Sequence, residues 1–124
     1  TPEEIFHLDP DGHTPDPLLD DQSLFVSTPQ GTVVLLGCAH AGVVNILDHI
    51  RRLTNNRPIR AVLGGMHLGK ASAVRLQWTL DSLRRIGPGL LVPLHCTGMP
   101  ATAALWHDFP SACRPGGAGA VFEF

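Results

Sequence analysis

The chain has 124 residues, enough for one small domain, and 44% of them are hydrophobic against 16% charged, which excludes a disordered tail. Its 9 Lys and Arg are set against 11 Asp and Glu with no basic run, so a nucleic-acid partner has no electrostatic support. No apolar stretch reaches the ~18 residues that a membrane span needs.

Residues 1–19 read as a loop-rich lead-in. Pro2, Pro10, Pro15 and Pro17 are interleaved with Asp9, Asp11, Gly12 and Asp16, with a short extended piece at residues 5–8. The opening Thr-Pro-Glu-Glu-Ile-Phe has no basic segment and no apolar core, so no signal peptide is visible. Asp20-Asp21 reads as a turn before a strand. Residues 24–27 and 32–36 are predicted strands on either side of Pro29-Gln30-Gly31, forming an antiparallel hairpin. Thr32-Val33-Val34-Leu35-Leu36 shows no polar alternation, which predicts cover on both faces. Val43, Val44, Leu47, Ile50 and Leu53 recur at spacings of three and four, the pattern of an amphipathic helix, which Asn55-Asn56-Arg57-Pro58 ends.

Residues 59–63 are a second buried strand, closed by Gly64-Gly65. A helix over 71–86 carries Leu76, Leu80 and Leu83 on one face and stops at Gly87-Pro88-Gly89. Residues 90–94 form a further strand leading into His95. A short helix over 101–107 and a final strand over 120–124, introduced by Gly116-Gly117-Ala118-Gly119, complete the order β-β-α-β-α-β-α-β. Strands joined through helices predict an α/β layer with parallel pairings beyond the first hairpin.

Cys38, Cys96 and Cys113 are odd in number and irregular in spacing, which argues against a disulfide framework and for reduced thiols in a cytoplasmic protein. The seven histidines are more informative. His40, His67 and His95 each follow the end of an apolar strand. In an open α/β sheet the carboxyl ends of parallel strands share one edge, where ligands bind. Three imidazoles at that edge can converge on a cation, zinc being the commonest choice and iron or manganese alternatives. His67 is separated from its strand by Gly64, Gly65 and Met66. A lone histidine at such a place is otherwise an ordinary hydrogen-bonded residue. His7, His13, His49 and His107, in loops or on helices, read as solvated or structural.

Gly37-Cys38-Ala39-His40-Ala41-Gly42, then Gly64-Gly65-Met66-His67-Leu68, then His95-Cys96-Thr97-Gly98, with Asp20-Asp21-Gln22-Ser23-Leu24 upstream, resemble a branch of the metallo-β-lactamase superfamily. The branch is one related to the archaeal dihydropterin-ribofuranosyl-aminobenzene phosphate synthase, and the resemblance extends from about Asp16 to Phe124. It implies an α/β (α+β by some schemes) αββα sandwich, here a mixed sheet with helices on one face. His40 matches the family's third metal-binding motif and His95 the last. Gly64–His67 stands where the family usually has an Asp that bridges two metals. No Asp is present there, so His67 replaces it as a ligand, contacts substrate, or is structural.

The family's first motif, His-x-His-x-Asp-His, does not occur in these residues. The resemblance therefore implies that residues 1–124 correspond to roughly the C-terminal half of a domain whose N-terminal half is absent. It further implies a metal-dependent hydrolase, or a fragment of one, with one or two ions in the intact site. A metal-activated water would attack an ester, phosphoester or related anionic small molecule. Gly42, at a helix N-terminus beside His40, and Lys70, after His67, are candidate contacts for the anion. Both also have ordinary readings, in close packing and as a solvated charge.

Two alternatives stand beside this one. One is a Cys–His nucleophile, in which Cys96 would point away from His95 if both lay on a strand, and Cys38 with His40 lacks an orienting third group; Cys96 reads instead as a buried small residue or an occasional soft metal ligand. An inactive metal-binding or assembly fragment is the other. A half-sandwich leaves an apolar sheet face uncovered, which predicts binding to the missing N-terminal half or homo-oligomerisation through that face.

Overall fold

The computed structural model describes residues 6–124. The hairpin forms as the sequence predicts. β1 (Ser23–Thr28) runs antiparallel to β2 (Gly31–Leu36), with Thr28 opposite Gly31 across the turn. β3 (Ile59–Gly65) and β4 (Leu91–Leu94) then add in parallel, giving one sheet in the order β1-β2-β3-β4. The crossovers are α1 (Val43–Leu53) and α2 (Ala73–Ile86); α3 (Met99–Asp108) follows β4.

The register explains the core. Val34, Val62 and Leu91 lie side by side across three strands, and all three are fully buried. Against this row pack Val43, Val44, Leu47 and Ile50 of α1, Leu80 and Leu83 of α2, and Ala101 and Leu105 of α3. The three helices thus share one face of the sheet. Local signals place them: the Ser72 hydroxyl accepts the Arg75 N–H at 3.2 Å to start α2, and Gly87 ends it at φ 66°.

Four expectations are corrected. Residues 120–124 are not a strand. The chain instead lies along β4 only briefly: Leu91 donates to Ala112 and accepts from Arg114, both at 2.9 Å. Pro115 and Gly116 then turn it over the back of the sheet, where Gly116 touches Val92 and Leu94 and the Phe124 ring sits 6.0 Å from the Arg60 guanidinium. Second, His95–Thr97 is a 3₁₀ turn rather than a strand continuation. Third, Leu53 is 58% exposed at the end of α1 and, with Phe25, Ile46 and Ile50, lines a groove of about 890 Å³ between α1 and β1.

The fourth concerns cover on both faces of β2. Thr32, Val33, Val34 and Leu36 are buried, but Leu35 is 41% exposed. It shares the back face with its β1 neighbour Leu24, 68% exposed, and with Val26, 56% exposed. Over residues 6–19 the lead-in is loop, with His7 bridged to Pro15, and residues 1–5 lie outside the described residues. Of the extended piece at 5–8, residue 5 lies outside the described residues.

Leu47 is fully buried at the centre of the helix–sheet contact. Leu47→Ala is expected to lower unfolding free energy by about 2–5 kcal/mol, read as a reduced urea midpoint at unchanged slope.

Candidate metal centre

Parallel pairing carries β2, β3 and β4 to the same edge, and the loops leaving them are tied to one another. Gly65 N–H donates to Gly37 O at 3.0 Å, joining the β3 end to the β2 loop. The Cys96 thiol donates to Cys38 O at 3.3 Å, joining the β4 loop to the β2 loop. Gly69 N–H reaches Cys96 O at 3.3 Å, and Met66 N–H reaches the Thr97 hydroxyl at 3.1 Å, joining β4's loop to β3's. The glycine pair has a steric reason. Gly64 has φ 127°, and a Cβ on Gly65 would lie 2.6 Å from Gly37 O and 2.7 Å from the Cys96 sulfur.

Each loop also holds one non-glycine residue in the left-handed region: Ala39 at φ 58°, His67 at 47° and His95 at 50°. Such residues cost about 1–3 kcal/mol each and persist where surrounding contacts over-determine them. Here the backbone ties just described do so.

The histidines fall into two groups. The His40 and His67 rings meet edge to face with centroids 4.6 Å apart, and the Phe6 ring from the lead-in packs 4.8 Å from His40 and 5.8 Å from His67. His95 keeps different company. One donor atom from each of Cys38, His95 and Cys96 lies within 4.8 Å of the others. Among the described residues the three histidines do not form a set that close. The two groups are neighbours nonetheless: Cys38 and His40 share a loop, and the His67 N–H is hydrogen-bonded to the Cys96 side chain. Because residues 95–97 form a 3₁₀ turn, His95 and Cys96 turn toward one side, contrary to the strand-based expectation.

Burial pushes the Cys96 thiol above its ordinary value, with the His67 amide partly offsetting it. Cys113 is buried in the core and is pushed up to about 11 by the same cause. The second cluster of possible metal donors, Asp9, Asp11 and His13, belongs to the lead-in. The Asp9 carboxylate accepts the His13 and Thr14 amides at 3.0 and 2.6 Å, which is turn chemistry and lowers its pKa, chiefly through the His13 bond.

Gly42 does open α1, at φ 95°, and Lys70 is exposed in the turn before Ser72. Asp21 is more than a turn residue. Its carboxylate accepts the Ala41 N–H at 3.0 Å and so pins the entry to α1 beside His40. Sequence reading missed this, as it missed Phe6 and the approach of Cys38 to His95 and Cys96. His7, His13, His49 and His107 are exposed, as expected for solvated residues.

No protein-family model matches the chain. Among curated proteins it is 28% identical over 105 residues to the 7,8-dihydropterin-6-methyl-4-(beta-D-ribofuranosyl)-aminobenzene-5'-phosphate synthase of Methanocaldococcus jannaschii, covering 85% of this chain and 36% of that one. Among solved structures it superposes on a metal-dependent hydrolase of the β-lactamase superfamily with a TM-score of 0.77 and 36% identity, over 83% of this chain and 40% of the other. The chain thus spans well under half the length of either relative. Its mixed four-stranded sheet under three helices agrees with that likeness, and the chain has the fold of part of that metal-dependent hydrolase of the β-lactamase superfamily.

Proposed function

We propose that this chain is the C-terminal half of a metal-dependent hydrolase domain. In this reading His40, His95 and His67 are its share of a metal site acting on an ester, phosphoester or related anionic small molecule. The carrying observation is the single edge at which three strand-end loops, each bearing one of these histidines, are hydrogen-bonded to one another. Imidazole and thiol donors suit Zn²⁺, with iron or manganese as alternatives, so the residues present fit a metal. When bound, the metal would lower the pKa of a coordinated water toward ~7 and polarise the scissile group.

This chain's residues would do the holding and positioning. His40 and His67 fix each other's rings by edge contact, and Phe6 shields that pair from solvent on one side. The Asp21 bond to Ala41 sets the loop from which His40 projects. Gly42, at the start of α1, and Lys70, in the turn before α2, are the groups proposed to meet the anion. The loops 37–42, 64–70 and 95–98 contain no carboxylate, so a general base would come from elsewhere in the domain. That observation favours a second reading, an inactive metal-binding fragment awaiting its other half. Three unbridged thiols support a reducing, cytoplasmic setting.

Purified chain is expected to carry stoichiometric zinc, iron or manganese by elemental analysis. His40→Ala should weaken that binding by more than ~100-fold, beyond the 10–100-fold that loss of an outer partner costs. Chelator-sensitive hydrolysis of a generic phosphodiester supports the enzyme reading. Full metal without hydrolysis supports the inactive fragment, and absence of metal overturns both. The exposed Leu24, Val26 and Leu35 further support contact with the missing half or a second copy through the back face. Sedimentation should give a mass above the 13.3 kDa of one chain; a single monomeric species would contradict this.

A further inference from the structure

The structure assigns to Cys38, His95 and Cys96 a second role: a three-donor nitrogen–sulfur site for a soft divalent cation, distinct from an all-imidazole set. The donor atoms already lie within 4.8 Å of one another. Tetrahedral zinc with bonds of about 2.3 Å to sulfur and 2.0–2.1 Å to nitrogen sets its donors roughly 3.5–3.8 Å apart, so small side-chain rotations close the site.

The surroundings are built to hold these atoms. Gly65 leaves room for the Cys96 sulfur that any Cβ would take, and the His67 amide is hydrogen-bonded to the Cys96 side chain. His95 is held at φ 50° in the 3₁₀ turn that brings its ring to the sulfur side. Cys38 is brought in from the opposite loop: before a cation binds, its carbonyl accepts the Cys96 thiol at 3.3 Å, a bond given up when that thiol loses its proton. Two of the donors are half-buried and His95 is exposed, which leaves a solvent-facing position for a fourth ligand. On binding, each thiol releases its proton to solvent and the cation takes one lone pair from each sulfur and one from His95; nothing is oxidised.

The site shares His95 with the hydrolase reading but does not rest on hydrolysis, and its test reads sulfur coordination rather than turnover. Cobalt(II) titrated into the full chain under reductant is expected to give a near-ultraviolet sulfur-to-cobalt charge-transfer band. Cys38→Ser and Cys96→Ser should each reduce the band by about half, and the double variant should abolish it. Cys113→Ser, in the core away from the site, should leave it in place. Cobalt bound without that band would show an imidazole-only site and overturn the assignment. So would a band surviving in the double variant, or wild-type chain that binds no cobalt. The wild-type spectrum decides the matter even if a serine variant does not fold.

Discussion

The parallel pairing of β2, β3 and β4 is the constraint on which the rest depends. It aligns Val34, Val62 and Leu91 into one buried row, which seats all three helices on one face. It also delivers three loop entries to one edge. Hydrogen bonds between backbones, and between backbones and the side chains of Cys96 and Thr97, then convert three loops into one body. The left-handed residues Ala39, His67 and His95 are tolerated because that body leaves them no alternative. Fold and site are therefore the same set of interactions seen at two ends of the strands.

Much of this was legible in the sequence. Helical spacing located α1 to its observed ends, and Gly-Pro punctuation located the end of α2. The strand-end positions of His40, His67 and His95 placed all three in loops at one edge because a strand's C-terminal residue is a one-dimensional property. What failed was three-dimensional. Whether His95 and Cys96 diverge or converge depends on the backbone after Leu94, and a 3₁₀ turn is not signalled by His-Cys-Thr. Asp21 and Phe6 reach the site across long sequence separations that no spacing rule reports. The last predicted strand failed because residues 112 and 114 already take the outward N–H and C=O of Leu91 on β4, and the chain leaves that edge before 120–124.

The position of the cysteines bears on which cations the proposed site would favour. An aspartate is missing where the resemblance expects a bridging ligand, yet the neighbourhood is not poor in donors. It has a paired His40–His67 contact on one side and two thiols beside His95 on the other. Sulfur donors favour softer cations than carboxylates do, so the exchange of one for the other would shift preference among metals without changing the fold.

The two borders of the sheet are chemically unequal. Leu91 spends its outward N–H and C=O on residues 112 and 114, and Pro93, next in outward phase, has no N–H to offer. Among the described residues β1 is the border left without a partner strand. A sheet that can lengthen from a single side cannot propagate: a second copy added there would meet its equivalent border, close with two-fold symmetry and leave nothing to recruit a third. The same asymmetry that shapes this layer would hold any strand-to-strand assembly to a pair and guard against filaments.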